Sequence, residues 1–223
     1  MKIPLLQRKE SPEQAGSAQW PIVYQVASWC LSYPDDQLLE LLPLLTDALA
    51  EQPGSRPIVL LRSVVDALRS GAPDELRHDY VDVFDLSRAH TLYLTYWTDG
   101  DTRRRGEALA AVKQLYRDSG YLTDLHGELP DHLPIVLEFC ARVDHDGGRE
   151  LLGRFRGALE KIERALRERR SVYADALAAI VLTLPESDTN PIAPQQTPVE
   201  FVGLEPYGPR LLPLQPTGQA NRR

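Results

Sequence analysis

The chain has little of what reactive sites are commonly built from. Of its 223 residues, two are cysteine, one is methionine and five are histidine. Cys30 and Cys140 lie far apart, each inside an apolar helical pattern, so they read as buried free thiols of a reducing compartment. There is no CxxC pair and no HExxH, which leaves the compact zinc-type ligand patterns unsupported. A Gly-rich phosphate loop ending in Lys-Ser/Thr is missing, and so is a GxSxG elbow. No apolar run approaches the ~18 residues of a membrane-crossing helix, and Lys2, Arg8 and Lys9 are followed by no signal-type apolar region. Positive charge is also scarce. Lys and Arg number 25 against 32 Asp and Glu, a formal net charge of -7, which argues against a nucleic-acid partner and suits a basic one. These absences predict a soluble cytoplasmic protein with no catalytic residues, metal or cofactor and no membrane insertion.

The chain does have enough apolar content, 43%, to bury one sizeable core, and most of it falls on a helical period. Residues 1–17 read as a flexible lead. Ile22, Val23, Val26, Ala27 and Cys30 form a first stripe, broken at Tyr33-Pro34-Asp35-Asp36, where either aspartate can cap the next helix. That Leu-rich helix, Leu38 to Leu49, contains Pro43, which should kink or split it. Leu60, Leu61, Val64, Val65 and Leu68 give an amphipathic helix stopped by Gly71, and Pro73 opens another carrying Leu76, Tyr80, Val83 and Phe84. Further helices are expected from near Asp101 to Gly120, from Pro130 to Val143, as one long element through Leu151, Phe155, Leu159, Ile162 and Leu166, and from Val172 to Leu184. Thr91–Trp97 alone is strand-like in composition, and a single strand makes no sheet, so it is read as an irregular or helical segment forced by packing. The fold class is therefore all-α, a single compact multi-helix bundle over residues 18–184. Residues 185–223 hold eight of the 18 prolines and form an extended or disordered tail, although Val199, Phe201, Leu204, Tyr207 and Leu211 make it apolar enough to dock on a surface.

Four clusters stand out. Glu128-Leu129-Pro130-Asp131-His132-Leu133-Pro134 places two carboxylates beside an imidazole, which favours the protonated form of His132, with Pro130 and Asp131 suited to a helix start. The segment is either a capping device or an acid/base pair, and the second reading leaves open a small hydrolase or nucleotide-using enzyme centred on Asp131 and His132. Asp144-His145-Asp146-Gly147-Gly148 lacks the further ligands of a calcium loop and reads as a helix-ending turn. Arg103-Arg104-Arg105 stands at a helix start but points its guanidinium groups in different directions, and the basic run Arg154–Arg170 is interleaved with Glu160, Glu163 and Glu168 as a solvated face. Tyr80, Phe84, Tyr93, Tyr96 and Trp97 form an aromatic group, mostly core, of which one or two rings exposed in a groove would anchor a peptide.

Several blocks in order resemble one family. Leu31-Ser32-Tyr33-Pro34-Asp35, Tyr80-Val81-Asp82-Val83-Phe84-Asp85, Thr91–Thr95, Gly100–Gly106, Glu128–Pro134 and Leu137-Glu138-Phe139 are similar to the nitrate reductase molybdenum cofactor assembly chaperones, the NarJ or delta-subunit family. That family belongs to the wider TorD-like, all-helical redox-enzyme maturation proteins. The resemblance implies a system-specific chaperone that is no part of the finished enzyme. It binds the N-terminal segment of the respiratory nitrate reductase catalytic subunit and keeps the apoenzyme competent for cofactor insertion. Carried onto this sequence, it makes Glu128, Asp131 and His132, the aromatic block Tyr80, Phe84, Tyr93 and Leu94, and Glu138 the client-binding candidates. Asp131 and Glu128 are expected to meet client Lys or Arg, with affinity falling as His132 gains a proton.

Overall fold

The computed structural model of the chain describes residues 20–99, 103–120, 125 and 127–185. The lead over residues 1–17 and nearly all of the Pro-rich tail lie outside them. Among the described residues ten α-helices follow in order: α1 (Trp20–Cys30), α2 (Asp36–Ala50), α3 (Arg56–Ser70), α4 (Pro73–Tyr80), α5 (Leu94–Asp99), α6 (Arg103–Asp118), α7 (Leu133–Arg142), α8 (His145–Arg154), α9 (Arg156–Glu168) and α10 (Tyr173–Val181). A π-helical segment (Val81–Asp85) and a 3-10 turn (Arg88–His90) link α4 to α5. Among the described residues there is no β-strand, only an isolated antiparallel bridge between Tyr93 and His132. The chain divides into two units, Met1–Ser187 and Asp188–Arg223.

The core is built on α1, α7 and α10. Helix α1 packs along α7, and α10 lies against α9, α3 and α1. The apolar stripe of α1 is buried as its spacing requires, with Val23, Val26, Ala27 and Cys30 inside. Burying a valine side chain contributes roughly 1.5–3 kcal/mol, and the smaller alanine less. Asp35 caps α2 through Oδ1, which accepts from Leu38 N at 2.9 Å. On α9, Ala158, Leu159, Ile162 and Leu166 face inward, while Arg156–Glu160 and Arg167–Glu163 pair one turn apart, with Arg156 largely covered and Arg167 more open to solvent.

Four expectations need correction. Pro43 does not split its helix. It lies on the exposed face of α2, where the i−4 carbonyl it leaves unpaired can meet water, and Leu38, Leu42, Leu45 and Leu49 hold the inner face. The long element through Phe155 is two helices, because Phe155 leaves helical geometry at φ −98, ψ 10, ending α8 and preceding α9. The helix expected from Pro130 begins at Leu133, with His132 as its cap and a proline in its first turn. Residues 131–133 are held in the bridge instead, with Leu94 N donating to Asp131 O at 3.2 Å and Leu133 N to Leu92 O at 2.9 Å. Asp144–Gly148 opens a helix as well as closing one, since Asp144 Oδ1 accepts from Gly147 N at 2.9 Å and caps α8.

Candidate functional site

The strand-like residues and the Pro-flanked acidic segment meet at that bridge. Thr91–Trp97 makes one extended pairing and then turns into α5, because Asp131 caps the new helix. Its Oδ2 accepts from Thr95 N at 2.9 Å and from the Thr95 hydroxyl at 2.7 Å. Thr95 and Asp131 are both 0% exposed. Arg105 Nε donates to the same hydroxyl at 3.3 Å, which brings a cation close to the buried carboxylate. Asp131 Oδ1 has no hydrogen-bond partner among the described residues. Arg105 is therefore spent internally, while Arg104 is exposed and the side chain of Arg103 lies outside the described residues.

Above this support opens a cleft of about 420 Å³. Tyr80 and Phe84 form its floor, their rings 4.8 Å apart, and Tyr33 meets Tyr80 edge-on at 5.5 Å. Tyr80 is pinned by its hydroxyl, which donates to Leu31 O at 3.0 Å. Tyr93 stands on the other side with its ring 5.1 Å from the His132 ring, and its hydroxyl donates to Glu128 Oε2 at 2.5 Å. A turn in which Glu128 N donates to Leu125 O at 2.7 Å brings Glu128 there, and it requires Gly127 at φ +86, where a side chain would be strained. The exposed carboxylates lining the cleft are Asp85, Glu128 and Glu138.

Of the eight candidate residues, six line this cleft: Tyr80, Phe84, Tyr93, Glu128, His132 and Glu138. Leu94 and Asp131 do not, since both are 0% exposed and lie beneath it, so Asp131 is not presented to a client cation. The expectation of a protonated His132 also fails. Burial lowers its pKa below the ordinary imidazole value and outweighs the opposing pull of Glu128, Asp131 and Asp85. Burial, then the Glu128 contact, pushes the Tyr93 hydroxyl up, so it remains a neutral donor. Sequence reasoning missed Asp85 and Tyr33 as cleft residues. Both fall inside the family-like blocks, but only the path of the chain around Tyr80 brings them to the cleft. No three His, Cys, Asp or Glu among the described residues group closely enough to hold a metal.

A larger cavity of about 490 Å³ lies between α6 and α8, lined by Ala108, Ala111, Val112, Leu115, Leu151 and Phe155 among others. It contains none of the candidate residues. The charges at its edge are already engaged, Glu150 by Arg154 at 2.6 Å and Asp118 by Gln114 at 2.7 Å.

The all-helical bundle that carries this aromatic, acid-rimmed cleft has the redox-enzyme-maturation fold. A crystal structure described as that of a redox enzyme maturation protein from Archaeoglobus fulgidus superposes with a TM-score of 0.56 at 25% identity, over 73% of this chain and 91% of that one. Residues 46–179 match the nitrate reductase delta subunit family, and the chain belongs to it. Relatives include the protein described as the nitrate reductase molybdenum cofactor assembly chaperone NarJ of Bacillus subtilis, 32% identical over 73% of this chain and 88% of its own length. NarJ of Escherichia coli is 32% identical over 52% of this chain and 50% of its own length. The nitrate reductase-like protein NarX of Mycobacterium tuberculosis is 41% identical over 74% of this chain, which spans only 24% of that relative.

Proposed function

We propose that this protein is an assembly chaperone for a nitrate reductase, and that its cleft holds the N-terminal segment of the apo catalytic subunit while the molybdenum cofactor is inserted. The relatives described as cofactor assembly chaperones support the role. The observation that carries the location is the aromatic floor of Tyr80 and Phe84 beneath a rim of Asp85, Glu128 and Glu138. An amphipathic helix carrying Lys or Arg lays its apolar face on such a floor and its cations on such a rim. Tyr93 and His132 supply rigid flanking rings, with few rotatable bonds to order on binding. Asp131 serves from below by fixing the start of α5 through Thr95.

Calorimetric titration with a peptide copying the N-terminus of the catalytic subunit from the same organism tests this. Micromolar or tighter binding is expected, weakened about tenfold or more by Phe84→Ala, which removes a floor ring. Undiminished affinity of the Phe84→Ala protein for the peptide would move the client away from this cleft.

A further inference from the structure

The three carboxylates of the cleft are not equivalent. Glu138 is paired one turn along α7 with Arg142, at 2.7 Å. Two hydroxyls at that end are also engaged, the Ser28 hydroxyl donating to Pro134 O at 2.8 Å and the Ser32 hydroxyl to Ser28 O at 2.8 Å. Glu128 accepts the Tyr93 hydroxyl. Asp85 is exposed, and among the described residues no ion pair or side-chain hydrogen bond engages it.

Helix winding explains why Asp85 reaches the cleft at all. Five residues past Tyr80, an α-helix would carry Asp85 roughly 140° around its axis, away from the Tyr80 face. The Val81–Asp85 segment is π-wound instead, and Leu86 N donates to Val81 O across five residues at 3.0 Å. The wider turn keeps Tyr80, Phe84 and Asp85 together on the cleft side. Burial first, and then Asp85 together with Glu128, push the Tyr80 and Tyr93 hydroxyls up, and the same two carboxylates oppose the lowering that burial imposes on His132.

We infer that the cleft has a direction: Asp85, the unengaged carboxylate at the π-segment end, seats a lysine or arginine side chain of the bound segment, and the α1–α7 end, where Glu138 and two serine hydroxyls are already engaged, takes uncharged residues. This rests on the client-binding reading of the cleft and adds to it the orientation of the client and the residue that sets it. The methylene stem of a Lys or Arg lies over the Phe84 and Tyr80 rings while its charge meets Asp85.

Two measurements test the inference separately from the reading beneath it. In the first, N-acetyl-arginine amide and its uncharged isostere N-acetyl-citrulline amide are titrated at millimolar concentration while backbone amide shifts are recorded. The arginine probe is expected to shift resonances around Phe84, Asp85 and Leu86, and the citrulline probe to leave them in place. Asp85→Asn should remove that response, Asp85→Glu should retain it, and Glu150→Gln, an equal charge change outside the cleft, should not alter it. Shifts centred on Glu138, or equal for the two probes, overturn the inference. In the second, the N-terminal peptide is titrated into Asp85→Asn, with about a tenfold loss of affinity expected. Peptide binding indifferent to Asp85→Asn overturns the inference and leaves the client reading standing. A wild-type protein that ignores the peptide, while the arginine probe still lands on Asp85, overturns the client reading and supports the direction of the cleft.

Discussion

Asp131 directs one carboxylate oxygen at Thr95, while His132, one residue on, lies against the Tyr93 ring at the cleft wall. In sequence the pair looks like an acid handing its charge to an imidazole. In the fold, Asp131 is committed to the start of α5, and burial outweighs all three carboxylates acting on His132. The imidazole therefore titrates below its ordinary value, while in the unfolded chain it titrates near ~6.5. Between those two values the unfolded chain holds more protons, so stability rises with pH there. His132's contribution is complete above about pH 6.5 and is lost as pH falls through the lowered folded-state value. Thermal melts from pH 7.5 down to pH 5 should show the wild type losing stability relative to His132→Gln once pH drops below about 6.5. Parallel curves for the two proteins would show that His132 is not the source. On the client-binding reading, affinity should likewise be flat from pH 7 to 8 and should fall only on the acid side, because a cation formed at His132 repels a basic client.

Among the elements, those bounded by a simple period or a strong punctuation residue were legible in the sequence. Helix α3, with four of its five buried positions read from the spacing, and the start of α2, with Asp35 before it, needed no tertiary information. Some errors were local, since Pro43 sits on a face open to water and Phe155 alone interrupts the winding between α8 and α9. Others arose where a distant partner or an unusual winding decided the outcome. The start of α7 depends on a bridge to residues 92–94, and the π winding before Leu86 leaves no mark on the apolar period, so Asp85 was missed as a cleft residue. The aromatic group and the Glu128–His132 segment were legible as clusters from residue chemistry, but which of their rings and carboxylates share one cleft was not, since composition says nothing about which rings face a cleft. The α7–α8 junction gives a test at this scale. A Cβ at Gly148 would come within 2.5 Å of Cys140 Sγ and 2.9 Å of Cys140 Cα, so the two helix backbones approach closely only because residue 148 has no side chain. Gly148→Ala should therefore cost about 1–3 kcal/mol of overpacking, even though alanine favours a helix. Gly153 has open space at the same atom and serves as the control. Denaturant unfolding of the two variants should separate them, with Gly153→Ala neutral or stabilising.

For the molecule as a whole, the division at Ser187 predicts where the helical unit can be cut. Its last turns are anchored by a clasp at residues 183–185. Tyr24 and Thr183 share a hydrogen bond between their hydroxyls at 2.7 Å. Arg149 lies over the Trp20 ring at 3.7 Å and donates to Thr183 O at 3.2 and 3.1 Å. Arg156 Nη1 reaches Leu184 O at 3.1 Å and Pro185 O at 2.8 Å, and Leu184 itself is buried. A chain ending at Ser187 keeps all of these contacts, so it should retain the thermal midpoint of the full chain to within a few degrees and bind the client peptide with the same affinity. A chain ending at Val181 loses the clasp. It strands the buried Tyr24 hydroxyl and uncovers the site of one leucine, together costing about 3–5 kcal/mol, a large share of the stability of a domain this size. The comparison of the two truncations is decisive because they differ by only six residues. A large loss already at Ser187 would mean that residues 188–223 contribute to the fold, and equal stability of the two would mean that the clasp contributes nothing.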